Sequence, residues 1–476
     1  MNLAILKGAV FIPIVGACLV PFLKNRRQLQ NICALFLTFL TFVSIAALIP
    51  SVLRGNVITY TWPFPLDLNL VLSADILSVF IAEIFAFVTI IVFYYSGGYV
   101  SRYKYQSEYY SISLLLLASA MGLIFSMNLL WIYIFWELLV LCAWKLTGFF
   151  RNARDLSAAN KTIMLNVFGA VFMLMGLIMI YFDKGTLDLR ILRGETISTI
   201  SAFFILVGIF AKSAIFPFSC WFLDAAAAAP SSSCALLCAA IGAKAGVYVY
   251  ARIFGVSIIP SSFFSETVVF VTAASAVISA GAALIETNIK KILAYSAISQ
   301  VSFIFLGLAS GNSIAFIGAM LYTLMHSIAK AGMFLIAGTL EEKTQTADIT
   351  RMGGLVRTMP ISAVSFGLCS LSVMAIPPLG GFFGKFMIFT GATEYGNPWI
   401  LGIFLLAAIL TLLYLVRLFY LVFLGEKQEN MPKEGYSGMV LSGAVLALTC
   451  MLLGLFVYYP ATYIQAISSN LGVFIR

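Results

Sequence analysis

The stretch Ile205-Leu206-Val207-Gly208-Ile209-Phe210-Ala211-Lys212-Ser213-Ala214-Ile215-Phe216-Pro217-Phe218 sets two requirements against each other. It is apolar enough for a bilayer, yet it carries a lysine and, five residues later, a proline. A charge near the bilayer centre costs about 2.5–3.5 kcal/mol on insertion scales. Proline removes a backbone donor and clashes with the preceding turn. Such a break survives at membrane depth where its backbone is buried in protein or lines a watery cavity. The pattern recurs in Ile376-Pro377-Pro378-Leu379-Gly380-Gly381-Phe382-Phe383-Gly384-Lys385. Two broken spans bearing lysine point to a helical membrane protein with an ion path through its middle.

The rest of the chain fits that frame. It has 476 residues, 62% hydrophobic and 10% charged, with a mean hydropathy of +1.03. No soluble domain has this balance. Apolar runs long enough to span a bilayer recur from end to end. They predict an all-α polytopic fold of about 14 spans, at 3–23, 29–50, 71–97, 109–127, 128–149, 160–182, 198–220, 233–252, 261–285, 291–309, 314–340, 360–390, 398–424 and 436–458. The first is a retained helix, because its positive cluster follows the apolar run rather than preceding it. The net charge of +9 reflects topology and not nucleic acid, since the charges fall in loops. Odd-numbered loops carry Lys24, Arg26, Arg27, Arg102, Lys104, Arg151, Arg154, Lys290, Lys291, Lys343, Arg351, Arg357, Lys427 and Lys433. Even-numbered loops carry Arg54, Lys184, Arg190 and Arg193. The positive-inside rule places odd loops in the cytoplasm and both termini outside, in a prokaryotic-type inner membrane.

The broken spans, the seventh and twelfth, are five apart. This spacing fits two five-helix repeats, spans 4–8 and 9–13, and an odd repeat length inverts the second copy. The organisation then reads 1-108 as N-terminal helices, 109-252 as the first repeat, 261-424 as the second, and 425-476 as the last helix and tail.

Four lysines lie inside apolar helices: Lys212, Lys244, Lys330 and Lys385. Together they cost on the order of 10 kcal/mol. Glu137, among aromatics and leucine in span 5, is the expected partner of Lys212 and Lys244. The bland alternative is a structural ion pair, which is a weak source of stability. Lys244 sits among small residues that allow close packing. His326 is the single histidine and stands four before Lys330, on the same helix face. A lone histidine is usually a satisfied core residue; a lysine one turn away makes a proton-exchanging pair the better reading. Lys385, after Pro377 and Pro378, is the expected exit residue, and Pro217 marks the other break. Asp75 reads as interfacial, Glu83 as deeper, Lys145 as snorkelling to the surface, and Asp224 as part of the loop after span 7. The eight cysteines read as small buried hydrophobes without disulfides. With no cysteine cluster, histidine pair or glycine-rich phosphate loop, no cofactor is expected in this chain.

These residues resemble the antiporter-like membrane subunits shared by respiratory complex I, Mrp sodium/proton antiporters and energy-converting membrane-bound hydrogenases. Phe135-Trp136-Glu137-Leu138 resembles the Trp-Glu motif of helix 5. Ala211 to Phe218, with Trp221-Phe222-Leu223-Asp224-Ala225, is similar to the helix 7 signature, continued by Ala229-Pro230-Ser231 and Lys244-Ala245-Gly246-Val247-Tyr248. Lys290 to Gln300 resembles the start of helix 10, His326-Ser327-Ile328-Ala329-Lys330-Ala331 helix 11, and Pro377 to Lys385 helix 12. The match covers most of residues 70–425. The resemblance implies fourteen helices, an inverted repeat and a relay through Glu137, Lys212, Lys244, Lys330 and Lys385. In that relay Lys212 holds its proton when Glu137 approaches and releases it when the two separate. Two positions depart from the family: Ser219 and Cys238 stand near where many members carry histidines. The tail lacks the long lateral extension of the most distal members, so the chain looks like a mid-chain type, such as the Mrp D-like subunit or its hydrogenase counterpart, and the Mrp-like and complex I-like versions stay open.

The implied partners are other membrane subunits, soluble redox subunits if the complex is a redox pump, the lipid bilayer, and H+ with or without Na+. Enzyme status stays open, because electrons would run through other subunits. A self-contained solute transporter and a non-conducting spacer are the alternatives.

Overall fold

The computed structural model describes residues 2–23, 26–65, 68–394, 396–426, 433–434 and 437–472. Lys24 and Lys427 of the charge pattern lie outside them. The helices are α1 Asn2–Leu23, α2 Arg27–Leu53, α3 Ile76–Tyr99, α4 Gln106–Phe125, α5 Leu129–Thr147 and α6 Ala153–Lys184. The chain is then interrupted between α7 Thr199–Lys212 and α8 Cys220–Ala228. Then follow α9 Ser231–Ser257, α10 Ser262–Ile285, α11 Ile289–Ala309 and α12 Ser313–Thr344. A second interruption separates α13 Pro360–Met374 from α14 Gly380–Thr393. The series ends with α15 Pro398–Leu424, α16 Gly438–Leu455 and α17 Tyr458–Leu471. Among the described residues, 12 helices are long and apolar enough to cross a membrane. The protein is an all-α polytopic membrane protein.

Burial sorts these helices. The apolar window of α9 is wholly buried, and those of α11 and α12 are 94% buried, whereas those of α2 and α15 are only 28% buried. The core is therefore α9, α11 and α12, with the peripheral helices turning leucine and phenylalanine outward, as a bilayer favours. That core holds Lys244, Lys330 and His326, with Lys212 and Lys385 buried at the two breaks beside it.

Each interruption contains proline, Pro217 in the first and Pro377 with Pro378 in the second. After Lys212 the chain passes through Ala214 in the left-handed region (φ 57°); after Met374 it does the same at Ala375 (φ 64°). A wider construction also recurs. Asn128 caps α5 and bridges to Asp188, while Asn288, 160 residues on, caps α11 and bridges to Asp348. α6 and α12, each 32 residues long, are capped by Asn152 and Asn312 and end in left-handed Gly185 and Gln345. The Asp188 and Asp348 amides then donate to the Thr186 and Thr346 hydroxyls. In the second loop, bonds from Thr350 hold the Asp348 carboxyl below the usual carboxylate range.

Four readings of the sequence change. Leu70–Ala74 is not the start of the third span but strand β2, paired antiparallel with β1, Ile58–Trp62. Its largely apolar run mimics a membrane helix, but a capping box between Asp75 and Ser78 starts the helix at Ile76. Asp75 is buried, not interfacial. Asp224 lies within α8 and pairs with Lys161 at 2.7 Å, rather than in a loop. Cys18 and Cys220 are exposed, so not all cysteines are buried hydrophobes. The tail after α16 forms α17, which reaches Ser313 through Ser468 and Ile76 through Tyr463.

Candidate functional site

Each break frees carbonyls at the end of its first half-helix. In the first, the indole of Trp221 donates to Ala211 O at 2.9 Å. A neutral side chain thus serves this carbonyl, alongside a longer 3.4 Å bond from the Ala214 amide. The ammonium of Lys212, buried at the end of α7, lies 5.6 Å from the ring centroid of Trp136. In the second break a lysine does this work: Lys385 Nζ donates to Val373 O at 3.0 Å, with the Phe303 ring centroid 4.6 Å away.

Glu137 sits on α5 next to Trp136, and one of its carboxylate oxygens is buried without a hydrogen-bond partner among the described residues. It lies within electrostatic range of Lys212, yet it forms no ion pair among the described residues. The expected Glu137–Lys244 contact is replaced. Lys244 Nζ instead meets His326 Nδ1 at 2.7 Å, both side chains buried. The reason is local. Lys244 follows a π turn over Ala235–Ala240, which rotates the helix beyond it so that this side chain faces α12. Gly246 on the same helix lies against the first break, where a Cβ would collide with Ser213 Oγ.

His326 and Lys330 face the same side of α12 but bind different partners. Lys330 donates to Ser296 Oγ at 2.5 Å, and the Tyr414 hydroxyl donates to the same oxygen at 2.6 Å. Beyond them Tyr322 donates to Gln300 at 2.6 Å, and Gln300 to Thr411 at 3.0 Å. The Tyr322 ring also lies between His326 and Lys385, with centroid distances of 5.8 Å and 5.3 Å. The structure thus joins Lys244 to His326 directly, sets Lys330 one turn away, and reaches Lys385 by way of Tyr322. Lysine, histidine, tyrosine and serine can each carry a proton, and the direct contacts are short enough to pass one. Cys238 lies close to Lys244, and Ser219 stands at the half-buried start of α8.

Several polar groups had no clear signal in the sequence. Arg252 is fully buried and forms a bidentate pair with Asp75 at 2.5 and 2.8 Å. Its Nε donates to the Tyr248 hydroxyl at 3.0 Å, which donates in turn to Ile124 O. Lys244, Tyr248 and Arg252 are spaced four apart, making one polar stripe along α9. The stripe ends at a cavity of about 150 Å³ lined by Asp75, Arg190, Arg193 and Arg252. At the opposite end, Lys290 is buried, donates to Ala229 O at 3.2 Å and pairs with Glu341 at 3.2 Å. Its charge reads as a loop residue, and only packing reveals its burial. The Ser231, Ser232 and Ser233 hydroxyls are buried nearby, the first two close to the Tyr99 and Tyr109 hydroxyls. Among the described residues, no three His, Cys, Asp or Glu side chains gather as a metal site requires.

Comparison with known proteins adds to this geometry. A family model described as NADH:quinone oxidoreductase/Mrp antiporter, TM, matches residues 126–411, more than half of the chain. The chain is 30% identical over 450 residues to NAD(P)H-quinone oxidoreductase subunit 5, organellar chromatophore 1, of Paulinella chromatophora, covering 88% of this chain and 66% of that protein. It is 29% identical to Na(+)/H(+) antiporter subunit A1 of Staphylococcus saprophyticus, covering 61% of it, so it spans about two thirds or less of these longer relatives. With the D-type Na(+)/H(+) antiporter subunit of Bacillus subtilis it shares 28% identity, over 97% of this chain and 96% of that one. The fold matches a chain in the structure of the Mrp complex from Dietzia sp. with a TM-score of 0.91 at 21% identity, covering 99% of this chain and 97% of that one. It matches one in the membrane-bound sulfane sulfur reductase, an archaeal respiratory membrane complex, at 0.90 and 22%, covering 98% and 97%.

Proposed function

The chain belongs to the NADH:quinone oxidoreductase/Mrp antiporter transmembrane family, and from that premise we propose that it is a proton-translocating, antiporter-like subunit of a larger membrane complex. The relay comprises Glu137, Lys212, Lys244, His326, Lys330 and Lys385. The observation that carries this reading is the 2.7 Å contact between Lys244 and His326. It joins the two five-helix units at the buried centre of the protein, where an isolated ammonium or imidazole has no structural advantage.

Protons enter from the odd-loop face past Lys290, Glu341 and Ser231–Ser233. They pass Lys244 and His326, and leave by Lys330 and Lys385. Glu137 biases Lys212 from the side, since the two are near but unpaired. The Asp75–Arg252 pair seals the stripe on α9 against the even-loop face, because a guanidinium does not give up its proton. Partners in the complex are other membrane subunits, with soluble redox subunits in a redox-driven version and Na+ in an exchange-driven one. The full-length match to a D-type antiporter subunit favours the exchange-driven one.

The two units, 109-252 and 261-424, are inverted repeats of one another, flanked by 1-108 and 425-476, and the two broken spans bring the 12 long helices to fourteen crossings. The recurrence at 160 residues supports this. The Asn128–Asp188 bridge joins two even-numbered loops and the Asn288–Asp348 bridge two odd-numbered loops, so one construction occupies opposite faces. The charge bias then places odd loops in the cytoplasm and both termini outside.

The test is ion pumping by vesicles holding the purified native complex, wild type against Lys244→Ala and Lys212→Ala, with partners identified from the same sample. Loss of pumping from an assembled complex supports the relay. Unchanged pumping in both variants makes the chain a spacer, and solute transport by the chain on its own makes it a self-contained carrier.

A further inference from the structure

A cleft of about 580 Å³ opens on the odd-loop side of the molecule, remote from the lysine series, where α1 ends and α2 and α4 begin. It is lined by the basic Arg27, Lys104 and Arg151, the acidic Glu108, the apolar Pro21 and Ile112, and the glutamines Gln30 and Gln106. Arg151 is neutralised by Glu108 and lies over the Tyr105 ring. Among the described residues Arg27 and Lys104 have no acidic partner: Arg27 donates one bond, to Ser101 O at 3.0 Å, and the Lys104 ammonium is 5.8 Å from the Tyr105 ring centroid.

Two independent features point to a ligand. The first is that α2 and α4 both begin here, and neither N-cap, Arg26 or Tyr105, supplies a capping side chain. Each helix therefore presents open amide donors and its positive end to the cleft. The second is a pair of orphaned acceptors. Gln30 and Gln106 are 1% and 3% exposed, their amide nitrogens donate to Leu23 O and Arg27 O, and among the described residues their Oε1 atoms have no partner. Cations and amide donors call for an anion; two buried carbonyl oxygens call for hydroxyl donors beside it. The apolar wall of Pro21 and Ile112 continues into the exposed Phe22, Leu19 and Val15 of α1, at the membrane boundary.

We propose that this cleft binds an anionic glycerophospholipid whose headgroup carries free hydroxyls, of the phosphatidylglycerol type. The phosphate meets Arg27, Lys104 and the first-turn amides of α4. The headgroup hydroxyls donate to Gln30 and Gln106, and an acyl chain lies along α1. Basic pockets between helices on the cytoplasmic side suit anionic headgroups, which are abundant in that leaflet.

The test is native mass spectrometry of the delipidated native complex titrated with phosphatidylglycerol, phosphatidylmethanol (anionic but without headgroup hydroxyls) or phosphatidylcholine. Phosphatidylglycerol is expected to bind best and phosphatidylcholine least. Each of Arg27→Gln and Lys104→Gln weakens phosphatidylglycerol by about fivefold. Gln106→Leu removes the preference for phosphatidylglycerol over phosphatidylmethanol while keeping that for an anion. Arg193→Gln, on the other face, changes neither and controls for assembly. Equal retention of phosphatidylcholine overturns the proposal. So does full displacement of the lipid by inorganic phosphate, which would mean a site for a soluble anion, or a partner subunit filling the cleft.

Discussion

The buried polar contacts have unequal weight, and single substitutions separate them. His326→Ala removes the partner of Lys244 without touching a helix break. The pumping rate of the assembled complex is expected to fall by about a hundredfold, the lower range for a positioned proton-transfer group. A drop of less than twofold would take His326 out of the relay. Asp75→Asn keeps a capping side chain for α3 but leaves Arg252 buried without its counter-charge. Breaking a buried pair from one side costs about 3–5 kcal/mol, so the thermal unfolding midpoint in detergent should fall clearly. Asp75→Asn with Arg252→Met should regain most of it. If Arg252 also seals the stripe on α9, vesicles with the single variant leak protons without a driving substrate, and tight vesicles would reduce the pair to a structural bolt. Neither contact was legible in the sequence. Lys244 and His326 are 82 residues apart, Asp75 and Arg252 177, and only the π turn before Lys244 and the buried side of α3 bring them together.

The elements were more legible, because proline and apolar length act locally. Pro217, Pro377 and Pro378 mark the two breaks, and long apolar runs mark the crossing helices. What hydropathy misses is a strand as apolar as a helix, as at Leu70–Ala74, or a half-polar helix such as α17. It also misses how closely elements approach. Gly246 lets α9 touch the first break: a Cβ there would collide with Ser213 Oγ and come within 3.0 Å of Ile209 O. Gly246→Ala should therefore destabilise by about 1–3 kcal/mol through overpacking and lower pumping by moving Lys212. Gly281, in α10, has open space around its missing Cβ, and Gly281→Ala should stabilise by about 0.5–1 kcal/mol. Equal melting shifts in the two variants would mean that α9 does not press on the break.

At the scale of the molecule one construction recurs at a spacing of 160 residues, and this was half-legible. The five-span spacing of the breaks suggested it, but few side chains agree: Glu137 falls opposite Ala297, and Lys330 opposite Ala170. The agreement lies in the caps and turns, where Asn128 matches Asn288, Asn152 matches Asn312, Thr186 matches Thr346 and Asp188 matches Asp348. Backbone geometry limits which residues work at such positions, while the helix faces between them carry different charges. This makes orientation testable at two equivalent points. Ile191 and Arg351 stand 160 residues apart; Ile191 is 66% exposed, and the Arg351 side chain is 77% accessible. Ile191→Cys and Arg351→Cys are introduced separately after the exposed Cys18 and Cys220 are replaced by serine. A membrane-impermeant maleimide is then added to sealed vesicles of known orientation. Inverted units require the two cysteines to react from opposite sides, Arg351→Cys from the cytoplasmic one. Labelling of both from the same side would make the units parallel and remove the basis for one half-path opening to each face.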